Sequence, residues 1–317
     1  MNKSNSHNKI KEEVPLVSIT CITYNHESYI RECLEGFLMQ KTNFEYEILI
    51  HDDASTDKTA DIIREYEKKY PGIIKPIYQV ENQYSQGVRG IFAKYNFSRA
   101  KGKYIAMCEG DDYWTDPYKL QKQVDFLEEN EDCAMVFTNA EVIIEDDGEK
   151  SNSIRGLREI KESRFFSDIE ILEHWTVPTA SVIFRSIYID EKYSKILSNK
   201  NFMFGDIVLF LHLSTKGELF GMKEIMVAYR RHVGGVTNFN LSINLDRAMG
   251  NHYLEIINVF GNKFKKPLAS HIGRVYFSLA INALKNKNFK YFFADFMKVI
   301  RHKPSLIITY IVQRTKS

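Results

Sequence analysis

Three groups of polar side chains follow short apolar runs in the first third of the chain. The groups are Thr23-Tyr24-Asn25, the segment 52–57 (DDASTD) and the segment 109–114 (EGDDYW). If the runs are parallel strands, their carboxyl ends meet at one edge of a sheet, where up to six carboxylates converge. Unpaired carboxylates resist ionising together, and a divalent cation relieves that repulsion. Oxygen ligands suit Mg²⁺ or Mn²⁺, so the pattern predicts a metal site at this edge.

Structural roles explain some of these residues. Ser55 is a good N-cap for the helix predicted directly after it, and Asp116 is a first-turn acid of another predicted helix. Asp111 and Asp112 have a weaker structural explanation. Two adjacent acids after a buried strand, followed by an exposed-looking Tyr113-Trp114 pair, serve no obvious packing purpose. The third group is therefore the centre of the candidate site.

Strands and helices alternate along the segment that carries these groups. We predict strands at 16–24, 46–51, 73–78, 103–108 and 133–138, and helices at 26–40, 55–70, about 89–100 and 116–130. This alternation at short spacing predicts an α/β fold with a mostly parallel sheet flanked by helices.

After a hairpin turn predicted at Asp147-Gly148 the pattern loosens. We interpret 149–166 as a variable loop, and we predict strands at 180–185 and 218–230 with a helix near 206–216 between them. Beyond Ser242 the chain is predicted to be wholly helical. The expected organisation is a disordered N-terminus (1–14), a catalytic domain (15–240) and a C-terminal helical region (241–317).

The segments VSITCITYN, EILIHDDASTD and GKYIAMCEGDDYWTDPYKL together resemble the family 2 glycosyltransferases of the bacterial polysaccharide type. The resemblance covers about residues 15–235 and implies the GT-A (Rossmann-like) fold. It implies that Asp52 and Asp53 contact the uracil of a UDP donor and that Tyr24 flanks the base. Thr23 and Asn25 belong to the same nucleotide-binding group.

The family's DxD motif corresponds to Glu109-Gly110-Asp111, which departs from it at the first acid. Glutamate keeps the charge but reaches one methylene further. The resemblance implies that Glu109 contacts the donor ribose and that Asp111 binds the metal. Asp112 and Trp114 are further site candidates.

Two later segments also resemble motifs of the family. FGDIVLFLHLSTKG (204–217) begins like the segment that carries the catalytic base, which implies that role for Asp206, although helix capping would also explain an Asp there. In YRRHVGGVTN (229–238), His232 completes the metal shell or contacts the diphosphate, unless it is an ordinary surface histidine. Arg230 and Arg231 are candidates to hold phosphate, and one of them could be only an ion-pair partner.

These parts imply a mechanism. The metal neutralises charge on the leaving diphosphate while Asp206 accepts the proton of the attacking acceptor hydroxyl. One displacement inverts the anomeric centre, and the sequence shows no nucleophile for a retaining route. The expected reaction is hexosyl or N-acetylhexosaminyl transfer from a UDP-sugar to a glycan or lipid-linked glycan. Capsule, exopolysaccharide or other cell-surface glycan synthesis is the expected setting.

Two other classes remain open from the residues alone. A metal-dependent nucleotidyltransferase acting on sugar phosphates would use similar carboxylates, but it would want a Gly-rich loop after the first strand, where TYNH has no glycine. A Rossmann dehydrogenase fails for the same reason. A non-catalytic nucleotide-sugar binding module would not need both the acidic group at 109–112 and a separate Asp206.

Composition points to a cytoplasmic protein. The four cysteines have no metal-binding spacing and are expected to be free thiols. The N-terminus lacks the apolar segment of a signal peptide, and no apolar run is long enough to span a bilayer.

The C-terminal region is strongly basic. Residues 261–317 carry twelve Lys and Arg against one acid, Asp295, a net charge of +11, whereas the whole chain has +2. Phe289, Phe292, Phe293, Phe296 and Ile300 share one face of a predicted helix. Such a helix can lie on an anionic membrane surface, or its aromatic residues can pack on the catalytic domain. No nucleic-acid motif accompanies the charge, so we expect no nucleic-acid partner.

Overall fold

The computed structural model describes residues 14–146, 149–152, 158–173, 177–232 and 243–307. Its first half is a parallel sheet formed by the strands β1 (Val17–Thr23), β2 (Tyr46–Asp52), β3 (Ile74–Tyr78) and β4 (Tyr104–Glu109), in the order β3-β2-β1-β4. The register pairs Thr23 with Asp52 and Ile22 with Glu109. The ends of the three strands that carry polar groups therefore meet at one edge, as predicted.

Helices cover this part of the sheet where the apolar periodicity predicts them. They are α1 (Ile30–Leu38), α2 (Thr59–Lys69) and α3 (Lys119–Glu129). The helix predicted near 89–100 is a π turn at Phe92–Asn96 followed by a 3₁₀ turn at Phe97–Arg99. The prediction that Ser55 caps α2 is wrong, because the helix begins at Thr59 and Ser55 bonds to Asp52 instead.

The second half of the sheet mixes directions. It contains β5 (Tyr113–Trp114), β6 (Cys133–Asp146), β7 (Glu149–Asn152), β8 (Arg164–Phe166), β9 (Ile183–Arg185) and β10 (Glu218–Arg231). The order continues β4-β9-β6-β10-β5, with β6 and β10 parallel and β9 antiparallel to both of its neighbours. The segment interpreted as a loop, 149–166, thus contributes β7 and β8, which pair with the long strands β6 and β10. The predicted turn at Asp147-Gly148 lies outside the described residues.

Three shorter helices complete the α/β part: α4 (Asp168–Glu173), α5 (Glu191–Leu197) and α6 (Gly205–Leu213). The strand predicted from 180 begins only at Ile183, after a 3₁₀ turn at Thr179–Ser181. Two apolar cores result, and all four cysteines are buried as free thiols.

The C-terminal helices α7 (Ile243–Phe260), α8 (Lys265–Lys285) and α9 (Phe289–His302) confirm the helical prediction over residues 243–302. They pack on the α/β part through Ile256, Leu268, Ile272 and Tyr276, which join one of its apolar cores. No described helix is long and apolar enough to cross a membrane.

Candidate active site

The ends of β1 and β2 form a compact hydrogen-bonded group. Asp52 is buried, and its carboxylate accepts hydrogen bonds from the amide and hydroxyl of Ser55. The Ser55 Oγ also accepts the Asn25 amide at 2.9 Å, and Asn25 Oδ1 accepts the Thr56 amide at 2.8 Å. Burial raises the pKa of Asp52, and the bonds from Ser55 oppose that rise. The segment after β1 is therefore fixed directly against the segment after β2.

Asp53 is bound by a different loop. Its carboxylate accepts the amides of Gln83 at 2.8 Å and Tyr84 at 3.0 Å, and its own amide donates to Thr23 O. Asp53 therefore orders the segment after β3. Tyr24, by contrast, is 43% exposed at the open side of this group, where a planar ligand could stack on its ring.

The end of β4 carries Glu109-Gly110-Asp111. Gly110 is required by close packing, since a Cβ at this position would lie 2.6 Å from Thr23 Oγ1 and 3.0 Å from His26 Nδ1. Glu109 Oε2 is buried and has no hydrogen-bond partner among the described residues. Burial raises the pKa of Glu109 to about 8, and the charges of Asp111 and Asp206 add to the rise.

Asp111 meets two imidazoles. Its Oδ2 lies 3.1 Å from His232 Nε2 and 3.9 Å from His26 Nε2. The three donor atoms all lie within 4.8 Å of one another. Burial alone would raise the pKa of Asp111, but the hydrogen bond with His232 and the charge of His26 lower it on balance. Burial lowers the pKa of His26.

This donor set fits a divalent metal ion. One carboxylate oxygen and two imidazole nitrogens are ligands that first-row divalent metals accept. The oxygen of Glu109 that has no hydrogen-bond partner among the described residues lies two residues away and leaves a further acceptor at this end of β4. The prediction that Asp111 and His232 come together is consistent with this geometry.

Asp112 and Arg230 lie behind the metal-binding group and are buried. Asp112 Oδ1 accepts the backbone amide of Arg230 at 2.8 Å, and the Arg230 guanidinium donates to Asp111 O at 2.6 Å. Arg230 also forms an ion pair with Glu32 and lies over the rings of Tyr29 and Tyr113. These contacts tie β10 to the turn after β4. Arg231 follows, partly exposed, at the end of β10.

The expectation that Trp114 is exposed is wrong. Trp114 is 1% exposed, packs edge-on against Phe37 and donates its indole N–H to Ala180 O at 2.8 Å. The cause is the pairing of β5 with β10, which turns this side chain towards the core. Trp114 therefore supports the turn that carries Asp111 from beneath.

Asp206 lies at the start of α6, in its first turn, and is not the N-cap, which is Phe204. Its Oδ1 accepts the Ile207 amide at 2.8 Å. Burial raises the pKa of Asp206, and this amide offsets part of the rise. The charge of Asp206 in turn raises the pKa of Glu109. Asp206, 97 positions away in sequence, is thus brought next to the end of β4.

Two residues of this site were missed by sequence reasoning. Thr179 lies beside the carboxyls of Glu109 and Asp206, where its hydroxyl offsets part of the rise in the pKa of each. His26 lies beside Asp111. The position of His26 directly after Thr23-Tyr24-Asn25 was an available signal, whereas nothing in the local sequence of Thr179 marks it.

The fold, with its acidic sheet edge, is of the GT-A type. Solved structures of the same fold include TarS of S. aureus in complex with UDP-GlcNAc, which has a TM-score of 0.63 at 18% identity and covers 88% of this chain and 79% of that one. A mannosyltransferase of Pyrobaculum calidifontis in complex with GDP-Man and Mn²⁺ has a TM-score of 0.53 at 13% identity over 91% of this chain and 88% of that one. The predicted fold class is confirmed.

Residues 18–190 match the Glycosyl transferase family 2 model, and the chain belongs to that family. An uncharacterized protein of Mycobacterium tuberculosis is 40% identical over 220 residues, which are 69% of this chain and 60% of the relative. The chain thus spans less than two thirds of that relative's length. The putative teichuronic acid biosynthesis glycosyltransferase TuaG of Bacillus subtilis is 30% identical over 68% of this chain and 79% of its own. Family membership favours glycosyl transfer over nucleotidyl transfer and over a dehydrogenase.

Proposed function

We propose that this protein is an inverting glycosyltransferase that moves a hexosyl or N-acetylhexosaminyl group from a UDP-sugar to an acceptor hydroxyl. The observation that carries the proposal is the convergence of Asp52, Asp111 and Asp206 at one sheet edge. In the proposal Asp52 belongs to the part that binds the nucleotide, Asp111 belongs to the part that binds the metal, and Asp206 is a separate buried acid. The UDP-GlcNAc complex of TarS supports a UDP-sugar donor. The similarity to TuaG, a putative teichuronic acid biosynthesis glycosyltransferase, supports a role in cell-surface glycan synthesis. The proposed acceptor is a glycan or lipid-linked glycan.

In this proposal the donor nucleotide lies along the ends of β1 and β2. The exposed ring of Tyr24 stacks on the base. Asp52 accepts from the uracil, with Asp53, Thr23 and Asn25 holding the surrounding backbone through the hydrogen bonds described above. Glu109 contacts the ribose, where a carboxyl with a pKa of about 8 can donate as well as accept.

Asp111 and His232 would hold Mn²⁺ or Mg²⁺ at the diphosphate. When bound, the ion supplies positive charge that stabilises the leaving UDP. Arg231, which is partly exposed at the end of β10, would add positive charge from the protein. Asp112, Trp114 and Arg230 act as positioning residues, because each is buried and bonded within the chain.

Asp206 acts as the general base. The burial that raises its pKa makes its ionised form a stronger proton acceptor than an exposed aspartate. It takes the proton from the acceptor hydroxyl while that oxygen forms the bond to the anomeric carbon and the bond to UDP breaks. A single displacement of this kind inverts the anomeric centre.

The test is transfer from UDP-sugars in Mn²⁺ by the Asp111→Asn variant, which keeps size and removes charge. We expect turnover to fall by at least about a hundredfold, the lower end of losses seen when one stabilising group is removed. The matched control is Asp116→Asn, which removes a carboxylate that forms an ion pair with the surface residue Lys122. Near-normal turnover of Asp111→Asn in a folded protein would reject the metal assignment.

We further propose that the C-terminal helical region (241–317) docks the catalytic domain (15–240) on the anionic, cytoplasmic face of a membrane. Phe289, Phe293, Met297 and Ile300 form an apolar face of α9 and are 57%, 62%, 60% and 42% exposed. The side of α9 that packs on the protein is the opposite one, with Asp295 and Val299 buried. A helix with one face in the protein and a second apolar face outside is suited to a membrane interface.

Charge supports the same partner. Asp295, the single acid of residues 261–317, is buried against Arg247 of α7 at 2.7 Å and is not available to neutralise surface lysines. Each basic residue near an anionic bilayer contributes about 1 kcal/mol. The apolar face of α9 adds about 25 cal/mol for each Å² that leaves water.

Co-sedimentation with vesicles of rising anionic lipid content tests this docking. We expect binding that grows with anionic lipid, weakens in part with salt, and falls at least about tenfold in Phe293→Ser/Met297→Ser, since burial of such side chains is worth about 1.5–3 kcal/mol each. The matched control is Val80→Ser/Ile187→Ser, because both side chains are exposed and both lie far from α9 in the sequence. Equal, low binding to neutral and anionic vesicles would reject the proposal, as would a concentration-dependent dimer that buries this face.

A further inference from the structure

We propose that His26 is a third protein ligand of the metal ion, beside Asp111 and His232, and that the resulting two-imidazole, one-carboxylate set selects Mn²⁺ over Mg²⁺. The inference deepens the proposed function and rests on its metal site. Neither the Glu109-Gly110-Asp111 motif nor the late motif around His232 contains this residue.

Geometry places the His26 donor atom at the site. Its Nε2 lies 3.9 Å from Asp111 Oδ2, and all three donor atoms fall within 4.8 Å of one another. Ligands about 2.1 Å from an octahedral ion are about 3 Å apart when adjacent and about 4.2 Å apart when opposite. The 3.1 Å between Asp111 and His232 matches adjacent ligands, and 3.9 Å lies between the two values.

The backbone of His26 is held before any ion binds. Its amide donates to Thr59 Oγ1 at 2.7 Å, and its carbonyl accepts the amides of Tyr29 and Ile30 at the start of α1. The ring packs beside Gly110, where its Nδ1 is buried without a hydrogen-bond partner among the described residues, and Tyr29 lies edge-on at 6.2 Å. A ligand whose position is fixed by its surroundings loses little entropy on binding a metal ion.

The two imidazoles and one carboxylate of the site affect the choice between Mg²⁺ and Mn²⁺. Mg²⁺ prefers oxygen ligands and keeps several waters, whereas imidazole suits later first-row metals, and Mn²⁺ accepts both. Two imidazoles within one site therefore disfavour Mg²⁺. They also give the protein enough ligands to bind Mn²⁺ before the nucleotide arrives.

The experiment titrates Mn²⁺ into the full chain without nucleotide, following the signal of free Mn²⁺ by electron paramagnetic resonance. We expect one tight site in the wild-type protein and at least about a tenfold weaker Kd in His26→Phe, which keeps a planar ring and removes both nitrogens. His271→Phe on α8, where the ring packs on Tyr253, is the matched control and should bind as the wild type does. If His26→Phe does not fold, His26→Gln takes its place in the same titration.

Two further measurements separate a ligand from a structural histidine. Pulsed resonance should detect nitrogen couplings from two imidazoles in the wild type and from one in His26→Phe. Mg²⁺ should displace Mn²⁺ more readily from His26→Phe than from the wild type.

Unchanged Kd and unchanged couplings in folded His26→Phe would overturn the inference. Because no sugar donor is present, these results stand apart from the proposed function. Nucleotide-free Mn²⁺ binding through His26 would support the site even if UDP-sugar transfer failed.

Discussion

Replacing the buried Lys119 with methionine should stabilise the protein at neutral and acidic pH. Lys119 is fully buried at the start of α3, and its Nζ has no hydrogen-bond partner among the described residues. The ammonium lies 4.1 Å from the ring centroid of Trp114. Burial lowers the pKa of Lys119 from 10.5 to about 7. The folded chain therefore keeps this charge only at a cost.

The size of the cost follows from the pKa. A difference from 10.5 to about 7, at about 1.4 kcal/mol per pH unit, sets an upper limit of about 5 kcal/mol. The contact with Trp114 offsets about 1–2 kcal/mol of it. Methionine fills similar space without a charge. We expect Lys119→Met to raise the free energy of unfolding by up to about 3–4 kcal/mol at pH 6.

The stability of the wild-type protein should change with pH because Lys119 has different pKa values in the folded and unfolded chains. Between about pH 7 and 10.5 the unfolded chain holds a proton on Lys119 that the folded chain has released, so stability rises with pH in this window. The destabilisation caused by burying the charge of Lys119 is complete below about pH 7 and absent above about pH 10.5. The stability gap between Lys119→Met and the wild type should therefore narrow by up to about 1.4 kcal/mol per pH unit across the window.

Urea unfolding of both proteins at pH 6, 8 and 9.5 measures this gap. Lys122→Met is the matched control on the same helix, because Lys122 is half-exposed and pairs with Asp116, so its loss should change stability by no more than about 1 kcal/mol. A gap that is constant with pH, or a wild type that is more stable than Lys119→Met at pH 6, would refute the reasoning.

Two other predictions concern the site. Asp206→Asn should bind UDP within about threefold of the wild type by calorimetry, yet transfer sugar about 10²–10⁴ times more slowly, as expected for loss of a general base; loss of UDP binding in a folded protein would remove Asp206 from that role. Gly110→Ala should lose about 1–3 kcal/mol of stability and bind Mn²⁺ more weakly, because the new Cβ would lie 2.6 Å from Thr23 Oγ1 and 3.0 Å from His26 Nδ1. Gly72→Ala, with nothing within 4 Å of the new Cβ, is its control, and equal unfolding midpoints for the two variants would contradict the packing argument.

The sequence alone determined the α/β class and the sheet edge at which the candidate site lies. The strands β1, β2 and β4 are short, mostly apolar runs, and runs of this kind that alternate with amphipathic helices are typical of strands in a parallel sheet. Since parallel strands end at a common edge, the acids after β2 and β4 had to converge. The length of β6 and the strands within 149–166 were not predictable, because a strand whose stability comes from pairing with distant residues has little local signal.

Only the tertiary structure decided which polar residues face the candidate site and which are buried in the protein. Asp111 and Asp112 are adjacent in sequence, but one meets His232 while the other is buried against the amide of Arg230. Trp114 points into the core because β5 pairs with β10, more than 110 residues away. His26 reaches Asp111 only because Gly110 lets the two chain segments touch. Sequence spacing specifies which strand end carries an acid, whereas long-range pairing and packing decide whether that acid faces a ligand or the protein interior.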